Sequence, residues 1–182
     1  WWCFLSFDAR ESYLSIRWQG QMCIRESYKN SSGNETFERE SPGHGAIIGQ
    51  YPLSNKKDTE EAIAVAKKTF KSDEWSSLTG VDREKIIRNV AAIIRERAEE
   101  LALIETLESG KPISQALDEM EWAAGIWDYA ATLARHIAGD VNTNVGRDMT
   151  AMMQKVPVGV VGMITPWNFP LLIISQKLPI AL

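Results

Sequence analysis

Cysteine and histidine are scarce in this chain, with two of each among 182 residues. Cys3 and Cys23 lie near the start, far from His44 and His136, and no combination has metal-ligand spacing. Neither a structural metal site nor a disulfide framework is expected, and no metal is assigned. Long apolar runs are missing too: nothing approaches the ~20 residues of a transmembrane helix. Charge of one sign is not in excess. Lys and Arg number 20 against 24 Asp and Glu, a formal net charge of −4, so neither nucleic acid nor an anionic membrane is expected as a partner. The apolar opening Trp1–Phe7 has no basic region before it and runs into Asp8 and Arg10, unlike a secretory signal. The sequons Asn30-Ser-Ser and Asn34-Glu-Thr accordingly read as chance matches. A Gly-x-Gly-x-x-Gly fingerprint is also absent. The expectation is a soluble, cytoplasmic globular protein, in line with an apolar content of 45%.

The two ends look unlike the middle. The first methionine is Met22; Trp1, Trp2 and Trp18 crowd the start; and Arg-Glu-Ser-Tyr occurs at Arg10–Tyr13 and again at Arg25–Tyr28. Residues 1–33 are therefore expected to be foreign to the fold, as a divergent extension or non-native sequence, leaving 34–182 as the domain. At the other end Leu182 falls inside an apolar helical pattern with no stop signal, an element expected to be cut in its middle.

Between the ends the pattern is helical first. Phe37–Tyr51 reads as a hairpin around Ser41-Pro-Gly-His-Gly45, with His44 as a solvated turn residue. Ser54 or Asn55, with Asp58, starts one helix, whose lysines 56, 57, 67 and 68 form a solvated face. Thr79 with Asp82 starts a second, long one, with an apolar stripe from Ile86 to Leu107 and a stop at Gly110-Lys-Pro112. A third runs from about Ser114 to His136, with Leu117, Met120, Ala124, Trp127, Ala131 and Ala134 inward and Trp122 and Tyr129 off the stripe. Asp148–Val156 alternates weakly, as an antiparallel strand would.

The most informative string follows, Val156-Pro-Val-Gly-Val-Val-Gly-Met-Ile-Thr-Pro-Trp-Asn-Phe-Pro170. Val158–Ile164 reads as a strand buried on both faces of a parallel sheet. Pro166 and Pro170 bracket a turn carrying Asn168, and Pro170 suits the first turn of the next helix. The fold class expected is α/β, with the rest of the sheet outside these residues. A strand-to-helix turn of any α/β protein would be the plainer reading. The order Ile164-Thr-Pro-Trp-Asn-Phe-Pro170, however, closely resembles the aldehyde dehydrogenase superfamily. The similarity extends from about Phe37 to Leu182 and takes in Leu107-Glu-Ser-Gly-Lys-Pro112 and Ala138-Gly-Asp140; Ser41-Pro42 stands where many relatives have Asn-Pro.

What this resemblance implies is the N-terminal helical part and first strands of a Rossmann-like dinucleotide-binding domain, incomplete at 182 residues. It implies oxidation of an aldehyde to a carboxylic acid with NAD or NADP, through a cysteine thiohemiacetal and thioester. Asn168 matches the family's oxyanion-hole asparagine, and Ile164, Thr165, Pro166 and Trp167 match positions that line the cofactor. Cys3 and Cys23 match neither the nucleophile's motif nor its place, and the resemblance implies that the nucleophile and the glutamate base both lie downstream. The complete enzyme is expected to be a homo-oligomer acting on a small-molecule aldehyde. Two other readings stand beside this one: a catalytically silent structural or binding module, and another nucleotide-binding α/β enzyme.

Overall fold

A helix rich in alanine organises the core. The computed structural model describes residues 22–24 and 27–182, with side chains described from residue 30 onward. The expectations placed on Cys3, on Trp1–Phe7 and on the first Arg-Glu-Ser-Tyr copy fall outside the described residues, as does the Cys23 side chain. In chain order the elements are strands β1 (Met22–Ile24), β2 (Ser27–Lys29), β3 (Thr36–Glu40) and β4 (Ile47–Pro52), then helices α1 (Lys56–Phe70), α2 (Asp73–Ser76), α3 (Gly80–Glu96), α4 (Ala98–Ser109) and α5 (Ile113–Leu133). Strands β5 (Asp140–Gly146) and β6 (Met149–Met153) and helix α6 (Pro170–Ala181) complete the order. The described strands pair as three antiparallel two-stranded sheets, β1–β2, β3–β4 and β5–β6.

The local signals act as the residue types dictate. In the β3–β4 turn the Ser41 N–H donates to the Ala46 carbonyl at 2.8 Å, and Gly45 takes the left-handed conformation at φ +66°. His44 is exposed there, 3.2 Å from the buried Ser41 hydroxyl. Asn55 caps α1 and Thr79 caps α3, each in a reciprocal capping box with the aspartate three residues on. Ser31 and Ser32, just before the boundary expected at residue 33, also bond to the Asp58 carboxylate, at 2.8 and 2.9 Å. Gly110 ends α4 at φ +77°.

The long second helix is a broken one. Arg97, at φ −106° and ψ 19°, separates α3 from α4. An unbroken rod of about 30 residues would be ~45 Å long, against ~31 Å for α5. Bending at Arg97 lets both segments lie along α5. The bend keeps its backbone bonds: Arg97 N–H reaches the Ile93 carbonyl and Leu101 N–H the Arg97 carbonyl, both at 3.0 Å.

The core is Ile87, Val90, Ala91 and Ile94 of α3, Leu101 and Ala102 of α4, and Ala116, Met120, Ala124, Trp127, Ala130 and Ala131 of α5. Leu117, expected inward, is 38% exposed, because the inward face of α5 runs through Ala116, Glu119, Met120 and Ala123 instead. Trp122 and Tyr129 lie off this face and are exposed. Helix α6 packs on α5 through Leu171 and Leu178. The Trp127 indole N–H donates to Ser175 Oγ at 2.9 Å, and that hydroxyl donates to the Leu171 carbonyl at 2.7 Å.

Strand β6 falls within the expected Asp148–Val156 segment, and its partner β5 is a strand that was not expected. The strand expected over Val158–Ile164 does not form: residues 154–166 have no strand pairing, Val158 is 95% exposed and Ile164 72%. An apolar β-branched run becomes a buried strand only beside hydrogen-bonding neighbours, and no described strand runs alongside it.

Two outcomes follow from this packing. Ser175→Ala leaves the Trp127 N–H unpaired in the core and is expected to lower unfolding free energy by about 1–3 kcal/mol, measured by urea denaturation. The Asp58 carboxyl is held well below the usual carboxylate range by the Asn55 and Ser32 backbone N–H groups. Its contribution is present above the ordinary carboxylate pKa of about 4 and is lost as pH falls through the depressed value. Asp58→Asn should therefore destabilise at pH 6, and the difference from the parent should shrink progressively below about pH 4.

Candidate catalytic turn

Pro170 at the first position of α6 ends the extended segment and starts the helix, because its missing N–H costs nothing there. The residues singled out from the sequence lie consecutively ahead of it. Ile164, Pro166, Trp167 and Asn168 are exposed, and Thr165 is half-buried. Trp167 is 68% exposed. Phe169 does pack, with its ring centroid 4.6 Å from the Lys111 ammonium. The Asn168 side chain makes no hydrogen bond among the described residues, so its amide is left available to a ligand.

The backbone of this turn is held by two lysines. Lys111 Nζ donates to the Asn168 carbonyl at 2.8 Å, and Lys177 Nζ donates to the Ile164 carbonyl at 2.8 Å. Lys111 also donates to Glu105 Oε1 at 2.5 Å and to Glu119 Oε2 at 2.6 Å. Both carboxylates are buried, Glu119 completely. Burial and the neighbouring Glu119 carboxyl push the Glu105 carboxyl up to about 7, against the pull of Lys111. Partners of Lys111 work the other way and raise its own pKa in spite of burial. Glu119 Oε1 is a buried oxygen without a hydrogen-bond partner among the described residues.

This cluster was not read from the sequence as part of a site. The signal was nevertheless present: Glu119 interrupts the apolar face of α5 between Ala116 and Met120, and Glu105 follows Leu101 by one turn of α4. A carboxylate on a buried stripe requires a cation nearby. Which cation, and what else it holds, depends on the meeting of α4, α5 and the turn before α6.

Among the described residues no group of three or more His, Cys, Asp or Glu side chains is arranged to hold a metal ion, and no helix is long and apolar enough to cross a membrane.

Known proteins of like sequence and shape are aldehyde dehydrogenases. The chain is 37% identical to a mitochondrial succinate-semialdehyde dehydrogenase of Oryza sativa subsp. japonica, over 98% of its own length and 34% of the relative's. It is 39% identical to a betaine aldehyde dehydrogenase of Bacillus subtilis (strain 168), over 78% of its length and 29% of the relative's. Among solved structures, an NAD-dependent aldehyde dehydrogenase from Sinorhizobium meliloti superposes with a TM-score of 0.86 at 40% identity, over 96% of this chain and 35% of that one. A betaine aldehyde dehydrogenase from Staphylococcus aureus, solved in complex with NAD+, has a TM-score of 0.86 at 33% identity, over 92% and 33%. The mixed α/β fold is thus that of these enzymes, and the chain spans about a third of their length. With residues 28–182 also matching the model of the aldehyde dehydrogenase family, the chain belongs to that family.

Proposed function

We propose that this chain supplies the oxyanion-stabilising part of an enzyme that oxidises an aldehyde to a carboxylic acid with NAD or NADP. The observation that carries the reading is Asn168: an exposed amide without a partner among the described residues, on a turn held by Lys111, beside the N-terminus of α6. A side-chain amide suits that task because it is a neutral donor that keeps its protons at working pH. The positive end of the helix dipole adds to the attraction for a developing negative oxygen. In this reading a cysteine thiolate attacks the aldehyde carbon, the carbonyl electrons move onto oxygen, and the Asn168 N–H₂ donates to that oxygen. The thiolate comes from outside these residues, since Cys3 and Cys23 match neither the nucleophile's motif nor its place, and by the family resemblance so does the glutamate base that activates water.

The residues before the turn fit a nucleotide cofactor. Ile164 and Trp167 present exposed apolar side chains, and the unpaired backbone around Thr165 and Pro166 is open to contact. The Ile164 carbonyl is the exception, being taken by Lys177. Ile164, Thr165, Pro166 and Trp167 would hold the cofactor by apolar and backbone contact; when bound, it supplies the hydride acceptor. Relatives named for succinate semialdehyde, aminoaldehydes and betaine aldehyde bracket the substrate class as small polar aldehydes. Homo-oligomeric assembly of the complete enzyme belongs to the same proposal, supported by the exposed Val141, Val145, Met149 and Met152 on the β5–β6 hairpin. So does residence in the cytoplasm, although the Oryza relative is named as mitochondrial and a Pisum sativum one as peroxisomal. Residues 34–182 are read as the N-terminal portion of the cofactor-binding domain.

In the complete enzyme, Asn168→Ala is expected to lower kcat by a factor on the order of 10²–10³ with little change in cofactor affinity. An unchanged kcat, measured where chemistry limits turnover, would refute the assignment. The 182-residue chain alone should form no NADH from aldehyde and NAD+; clear turnover would place the nucleophile within it.

A further inference from the structure

Lys111 has three N–H donors, and the structure gives it three acceptors on three different parts of the fold. These are Glu105 Oε1 on α4, Glu119 Oε2 on α5, and the Asn168 carbonyl in the turn before α6. The third acceptor sets this cluster apart from a simple internal ion pair. Charge neutralisation between α4 and α5 needs only the two carboxylates, yet the remaining donor crosses to a backbone oxygen 57 residues away.

That oxygen needs an outside partner. The first backbone bond of α6 runs from Ile173 N–H to the Phe169 carbonyl, at 3.0 Å, so the helical ladder begins one residue after Asn168. Among the described residues Lys111 is the donor to the Asn168 carbonyl, and without it the backbone of the turn loses that anchor. The Asn168 side chain is carried on this backbone, so a turn that shifts moves its Cα and the amide with it. The ammonium also sits over the Phe169 ring, 4.6 Å from its centroid, which fixes the residue on the far side of the same peptide.

The cluster is an expensive way to fill space. Two buried carboxylates share one ammonium, and Glu119 Oε1 has no hydrogen-bond partner among the described residues. Well-packed apolar side chains of similar volume commonly match or exceed the stability of such a group. What they cannot do is donate a hydrogen bond to a carbonyl at one point in space.

We propose that Lys111 is a positioning residue for Asn168: braced by Glu105 and Glu119, it holds the Asn168 carbonyl and thereby aims the side-chain amide at the developing oxyanion. The inference rests on the reading of Asn168 as the oxyanion donor. Lys111 touches neither substrate nor reacting atoms in this role, so its effect must pass through Asn168.

A double-mutant cycle in the complete enzyme tests this. Lys111→Met should lower kcat by on the order of 10-fold in the parent, leave the NAD+ dissociation constant within about twofold, and have no further effect on kcat in the Asn168→Ala background. An unchanged kcat for Lys111→Met in the parent would overturn the proposal. So would an equal loss in both backgrounds, which would mean that Lys111 acts by a route other than Asn168. If Asn168→Ala itself leaves kcat intact, the oxyanion reading fails first and takes the positioning role with it. Should Lys111→Met strand its two carboxylates and fail to fold, the cycle is run with Lys111→Met, Glu105→Gln and Glu119→Gln together. That variant carries no buried charge at the cluster, and the same outcomes apply to it.

Discussion

Close approach to α5 is the constraint on which the rest of the molecule depends. Ala116, Ala123, Ala124, Ala130 and Ala131 are at most 3% exposed, and their small side chains let α3, α4 and α6 come near one central helix. Larger side chains from the neighbours (Ile87, Ile94, Leu101) fill the space so opened, and Met120 and Trp127 fill it from α5 itself. Filling the interior this way also explains the break at Arg97. A straight α3–α4 rod would leave α5 behind, whereas the bent pair follows it and delivers Glu105 to the side where Glu119 lies. The turn carrying Asn168 inherits its place from the same helix, because Trp127 and Ser175 tie α6 to α5.

Charge is used in two ways. On the outside, Arg95 reaches Glu121 at 3.0 Å and Asp128 at 2.8 Å, while Arg88 and Arg135 share Glu84. Such exposed pairs are worth roughly 0–1 kcal/mol each and are screened by salt, so they support the α3–α5 register without creating it. Around Lys111 the charges are buried, and the low dielectric makes both their attraction and their desolvation large. A net gain in stability is not the evident result there; a fixed carbonyl in the Asn168 turn is.

Much of the local structure was legible because it is decided within a few residues. The hairpin around Ser41–Gly45, the caps at Asn55 and Thr79, the stop at Gly110 and the start at Pro170 each follow from one or two side chains acting on nearby backbone. Asn168 stood out for a similar reason, as a polar residue held between prolines at a helix start. The single helix expected from Ile86 to Leu107 had the right stripe and the wrong continuity, since nothing local marks Arg97. Leu117 was placed inward by spacing, but the helix turned its Glu119 side to the interior because a cation was waiting there. Strand β5 escaped notice although Val141, Thr143 and Val145 alternate with Asn142 and Asn144; every residue in it is exposed, and no apolar core face marks it.

Sequence alone determined the capped starts of α1 and α3, the stop at Gly110, the start at Pro170, most of the apolar stripes, and the motif that joins this chain to the aldehyde dehydrogenases. These are properties of short segments, set by backbone chemistry and by order along the chain. Tertiary structure alone decided that α3 and α4 bend around α5 and that Lys111 bonds the Asn168 carbonyl. Each of these depends on what lies beside a segment in space: a helix to wrap, or two carboxylates from separate helices meeting one ammonium.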